Sequence, residues 1–102
     1  MELVGRDMLT KASRRYVDTR RWLETWMATV DDATWQSLAD VRKVYSSADG
    51  VPLRSGIVVI VFNVKGNAYR LLTTIDYQSQ SVTVLELLTH ADYSRDRWKE
   101  RY

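Results

Sequence analysis

The sequence predicts an α+β domain, with helices first and a sheet second. Two observations carry this. Residues 22–30 place Trp22, Leu23, Trp26, Met27 and Val30 at helical spacing, one apolar stripe on one helix face. From Ile57 onward the period changes to that of strands, through "IVVIVFNV", "YRLLTTIDY" and "VTVLELL". Helices followed by a meandering antiparallel sheet pack as two layers, helices on one face. That leaves the other face partly open, to be finished by polar residues or a partner.

Each element has its own justification. Leu3 and Val4 suit a short first strand. Arg6 to Tyr16 is helical but only partly apolar. Asp18 is placed to cap the next helix, its carboxylate accepting free N–H groups of the first turn. Asp31 and Asp32 end the tryptophan stripe. Trp35, Leu38 and Val41 predict a further short helix leading to Tyr45. "SSADGVPLRSG" holds the only proline, Pro52, and reads as a loop. The tail from Ser94 to Tyr102 is charged and reads as a solvated end or a set of phosphate contacts.

Composition narrows the function. A chain of 102 residues buries one modest core, so residues 1–102 are expected to form a single domain. The net charge is +2, but 11 of the 15 basic residues are arginine, whose forks fit phosphate and carboxylate. There is no cysteine, hence no disulfide framework or thiolate chemistry. One histidine and no paired ligand motif make a metal site improbable, and no cofactor is expected. The longest apolar run, "IVVIVF", is too short to span a bilayer, and the N-terminus lacks the pattern of a secretory signal. The expected location is the cytoplasm.

The turn "KGNA" sets the hairpin register. With Gly66 and Asn67 as a two-residue loop, Val64 pairs with Tyr69 and Asn63 with Arg70. Val58, Ile60, Phe62, Val64, Tyr69, Leu71 and Ile75 then share the core face. Lys65, Asn63 and Arg70 share the other face, with Val61 and Leu72 behind them. A one-residue slip would bury Arg70. In the last strand, burying Leu85 and Leu87 sends Glu86 to the site face, where it would pair with Arg70.

The motifs "YSSAD" (45–49), "IVFNVKGNAYRL" (60–71) and "LLTHADYSRD" (87–96) resemble the HigB-type toxins of bacterial toxin–antitoxin systems, within the RelE-like superfamily. The N-terminal half matches more thinly, through Trp26, Val30, Ala33, Trp35, Ala39, Asp40 and Val41. The resemblance implies a RelE-like fold and an mRNA endonuclease that cuts translated messages on the ribosome. It also implies a HigA-like helix-turn-helix antitoxin. Five positions depart from the pattern: Ser94 and Arg95 stand for the acidic and basic pair after the tyrosine, Leu88 for a glycine, Leu85 for an arginine and Glu86 for an aromatic residue. The last two lower the positive potential at the site, so a weak or inactive binding module of the same fold is the alternative.

RNA carries its own nucleophile, the 2′-OH, so the protein must move protons and stabilise charge on phosphate. One histidine excludes a two-histidine acid–base pair within a monomer. The expected catalytic set is His90 as acid or base, Arg70 on the phosphate, Lys65 in electrostatic support and Tyr93 as a second proton-transfer or stacking group. Tyr93 is a poor base unless cations lower its pKa. Asn63, Lys65, Arg70 and Arg95 are the expected RNA contacts.

Overall fold

The structure is a computed structural model and describes residues 1–102. Its sheet has five strands: β1 (Glu2–Val4), β2 (Asp49–Pro52), β3 (Val58–Val64), β4 (Tyr69–Asp76) and β5 (Ser81–Thr89). Their spatial order is β1-β5-β4-β3-β2. Strands β3 to β5 form the expected antiparallel meander, and β2 adds an antiparallel edge strand to it. β1, however, pairs parallel with β5, so the sheet is mixed rather than purely antiparallel. The direction of β1 is fixed at its start. The Met1 ammonium donates to the Val30 and Ala33 carbonyls at 3.0 and 2.8 Å. Those carbonyls lie at the C-terminal end of a helix, where positive charge is stabilised.

The helices are α1 (Arg6–Arg15), α2 (Arg20–Asp32), α3 (Leu38–Val44) and α4 (His90–Ser94), with 3-10 turns at Val17–Thr19 and Arg97–Glu100. Asp18 does not cap α2. It lies inside the first 3-10 turn and accepts a 2.9 Å bond from the Tyr69 hydroxyl. The α2 cap position is Thr19, whose hydroxyl instead donates to the Tyr16 carbonyl at 2.6 Å.

The tryptophan stripe does what its spacing predicts. Leu23, Trp26 and Val30 are buried and meet Phe62, Ile60, Val64 and Leu71 of the sheet. Trp26 and Tyr45 both set ring edges against Phe62, at 5.4 and 5.3 Å between centroids. Such pairs add stabilisation beyond the area they bury. Val58 departs from the expected core set: it is 48% exposed beside the edge strand.

Three further expectations are corrected. Residues 49–52 form an edge strand within the predicted loop, tolerated because Pro52 ends it where no ladder bond is needed. The second sheet face is not left open. Leu53, Val59, Val61, Leu72, Leu88 and Trp98 form a separate buried cluster there, with the tail supplying Trp98. A bulge separates Leu85 from Leu87, since Leu72 pairs with Glu86 but Thr73 with Val84. Leu85 therefore packs on the second cluster and Leu87 on the first.

Candidate functional site

The hairpin register is the one the turn chemistry predicts: Val64 opposite Tyr69 and Asn63 opposite Arg70. Arg70 also lies opposite Leu88 of β5. Asn63, Arg70 and Leu88 thus form one row across three strands, on the face away from α2. The next row is Asp49, Val61, Leu72 and Glu86. The site stands at the end of the sheet where β3 turns into β4 and β5 runs into α4.

Arg70 is half-buried and directed by neutral acceptors. Its guanidinium donates to the Asn67 and Tyr69 carbonyls at 3.2 and 3.1 Å and to the Asn67 side-chain oxygen at 3.3 Å. No carboxylate pairs with it, so its charge stays uncompensated at the site. It also sits 5.5 Å above the Tyr93 ring, within cation–π range.

Tyr93 is held from below. Its ring stacks on Trp98 at 5.3 Å with 16° between planes, and the Trp98 indole N–H donates to the Tyr93 carbonyl at 3.1 Å. Burial pushes the Tyr93 phenol above its ordinary value, and the Asp49 charge adds to the rise. Arg70 and Lys99 act in the opposite direction without prevailing. The cations do not lower the Tyr93 pKa, so the phenol stays protonated, a poor base that can donate.

His90 opens α4. The helix begins there because Thr89 caps it, its hydroxyl accepting from the Asp92 N–H at 3.2 Å. The His90 N–H bonds the Ala68 carbonyl at 3.0 Å, which ties α4 to the hairpin turn. The imidazole is exposed, with Nδ1 3.2 Å from the Ser94 hydroxyl, leaving Nε2 toward solvent. His90 and Tyr93 lie three residues apart on one short helix, and so on neighbouring positions of one face.

Other expected site residues are placed differently. Lys65 does not join Arg70. It adopts a left-handed φ of 54° beside Gly66 at 66°, so the strand alternation fails at that residue. The positive φ angles fall on Lys65 and Gly66, not on Gly66 and Asn67. Lys65 instead lines a cleft of about 340 Å³ with Asp18, Arg21, Trp22, Thr25 and Tyr45, toward α2. Arg95 is exposed and pairs with Asp92 at 3.4 Å. Glu86 reaches the site face but not Arg70. It accepts from Arg101 at 3.1 and 2.5 Å and from the Tyr102 hydroxyl at 2.8 Å.

Sequence reasoning missed Asn67, which aims Arg70, and Trp98, which supports Tyr93. The signal for Trp98 was a tryptophan inside a charged tail, where burial is its usual fate. No three His, Asp or Glu side chains converge as metal ligands would. No helix is long and apolar enough to cross a membrane.

Helices packed on a small five-stranded sheet agree with the RelE-like fold that the motifs resemble. The family model for the HigB toxins, the RelE-like toxic component of a toxin–antitoxin system, matches residues 19–96. The chain belongs to that family. It is the toxin of such a pair, and an antitoxin is its partner. No curated protein matches the chain significantly.

Proposed function

We propose that this toxin is a ribosome-dependent endoribonuclease that cleaves translated mRNA through the RNA 2′-OH, without a metal. The observation that supports it best is Arg70: a guanidinium with no carboxylate partner, aimed by Asn67 and resting over Tyr93. A phosphate bound there would meet a group that stays charged at any working pH. The phosphate gains negative charge as the 2′-oxygen attacks, and a preorganised cation stabilises that state more than the ground state. Imidazole is the side chain suited to exchange a proton near neutral pH, and the exposed His90 ring would take the 2′-OH proton or protonate the leaving 5′ oxygen. Tyr93, held protonated, suits the donor role. Asn63 and Arg95 would contact the strand, and Lys65 would act at longer range.

The net charge of +2 is small for holding RNA unaided, since nonspecific affinity comes mainly from phosphate neutralisation. The ribosome would supply the rest, and the cytoplasm is where the reaction would run. The partner that silences the toxin would be a HigA-like helix-turn-helix protein. The test is induced expression of the wild-type chain and of Arg70→Ala, with mapping of mRNA 5′ ends. Growth arrest with new cuts in translated messages, both lost in the variant, supports the reading. Arrest without cuts sinks it.

One observation favours a second reading, a weak or inactive RNA- or ribosome-binding module. Glu86 and Leu85 stand on the working strand where the resemblance implies an aromatic and a basic residue, and both face the second cluster or its rim. His90→Gln separates the readings: loss of cleavage with retained ribosome binding marks the enzyme.

A further inference from the structure

The tail that covers the second sheet face also builds a small basic pocket. Arg95, Arg97 and Arg101 line a cavity of about 150 Å³, together with Asp92, Leu88 and Trp98. The floor is apolar, because Leu88 is 9% and Trp98 1% exposed. The pocket charge is unbalanced. Asp92 pairs with Arg95 at 3.4 Å, and Glu86 pairs with Arg101 from outside the pocket lining. Arg97 has no carboxylate partner among the ion pairs of the chain. Three guanidiniums around a cavity of this size, with one of them free, suit a tetrahedral oxyanion that accepts from several forks at once.

Its position says which oxyanion. Leu88 lies directly opposite Arg70 in the sheet, so the pocket begins one strand spacing, about 5 Å, from the Arg70 row. Arg97 and Arg101 lie beyond residues 19–96 matched by the family model. We propose that the Arg95–Arg97–Arg101 pocket binds a second backbone phosphate of the RNA strand whose scissile phosphate lies at Arg70. This rests on the proposed action on RNA. Arg101 serves two ends, neutralising Glu86 and completing the pocket.

The test is binding, not cleavage. A labelled single-stranded RNA with methylated 2′-OH groups cannot be cut by 2′-OH attack. Its affinity for the full chain is read by fluorescence anisotropy across a salt series starting at low salt. Arg97→Gln is the main variant, since Arg97 is exposed and holds no other element in place. One lost phosphate contact flattens the slope of log affinity against log salt by about 0.7. The affinity at low salt should fall by up to roughly fivefold, the range of an exposed charge contact. Arg97→Lys should keep the slope, because the charge remains.

An Arg97→Gln protein with wild-type slope and affinity overturns the proposal. So does a wild-type protein that fails to bind the oligonucleotide even at the lowest salt. A further arm follows Arg97 side-chain N–H signals by NMR while inorganic phosphate is added. A response to phosphate without any effect of Arg97→Gln on RNA marks a free-anion pocket and also overturns the RNA assignment. Loss of slope in the variant, with messages left uncut in cells, supports the pocket and removes the endonuclease.

Discussion

Replacing Trp98 by alanine separates a packed tail from a solvated one. Trp98 is 1% exposed, although it lies four residues from the end of a strongly charged segment. Removing a fully packed tryptophan costs roughly 3–5 kcal/mol, the transfer of the ring plus the cavity it leaves. The 5.3 Å stack with Tyr93 puts this site toward the upper half of that range. The lost indole bond adds little, because the Tyr93 carbonyl still accepts from the Asp96 N–H at 3.2 Å. A terminal segment can also detach without global unfolding, which caps the loss at the free energy of its docking. We expect about 3–4 kcal/mol in urea or guanidinium unfolding, and a melting temperature lower by roughly 15–25 °C. Trp98→Phe, which keeps a ring on Leu88 and under Tyr93, should recover more than half. A tail that only solvates the chain end predicts a change within about 0.5 kcal/mol. A measured loss below about 1 kcal/mol, with the near-UV circular dichroism unchanged, refutes the packing argument.

Further outcomes are expected elsewhere. Arg70→Ala should lower cleavage by roughly a hundredfold or more in mRNA 5′-end mapping, and Arg70→Lys should not restore it, since an ammonium cannot fork onto two oxygens. Tyr102 is pushed up to about 12 by burial and by its bond to Glu86. A folded-state value above the unfolded one, ~10, stabilises the protein below pH ~10 and loses that contribution as pH rises toward about 12. The group is only partly buried, so screening reduces the effect to about 1 kcal/mol. Alkaline unfolding of wild type and Tyr102→Phe should converge by that amount between the two values, while the other tyrosines cancel. Gly5→Ala should cost about 2 kcal/mol by thermal unfolding, because φ is +96° and the new Cβ would stand 3.2 Å from the Val84 Cβ and 3.3 Å from its carbonyl.

The fold was legible where the pattern repeats over many residues. The α2 stripe and the three long strands each carry enough periodic positions to fix type and face, and the hairpin register followed from one turn. What stayed hidden depends on few residues or distant partners. Asp49–Pro52 is four residues, three of them turn formers, made a strand only because the β3 edge offers bonds. β1 has three residues, and its parallel pairing is set by the end of α2, about thirty residues away. The bulge at Leu85 leaves no mark in a strand whose apolar residues fall on both faces, so the alternation drawn through it placed Leu85 with Leu87.

The site divides along the same line. Asn63, Arg70 and His90 reach the same end of the sheet by local rules: a turn, a strand pair and a capped helix start. Lys65 belongs to the same motif, yet one left-handed backbone angle turns it toward α2. The remaining difference concerns Glu86. Read alone, a carboxylate on the working strand is a charge opposed to RNA, and Arg70 is its nearest obvious partner. The structure supplies two other partners, Arg101 and Tyr102, so the acid is spent on holding the tail. That leaves Arg70 uncompensated and brings Trp98 beneath Tyr93. A substitution that looks like damage to the site, taken one residue at a time, becomes an attachment point for the segment that supports it. Glu86→Gln therefore tests two opposite expectations at once. If Glu86 opposes RNA, the variant cleaves better than wild type. If it anchors the tail, the variant loosens Trp98, lowers stability together with Trp98→Ala less than additively, and cleaves no better.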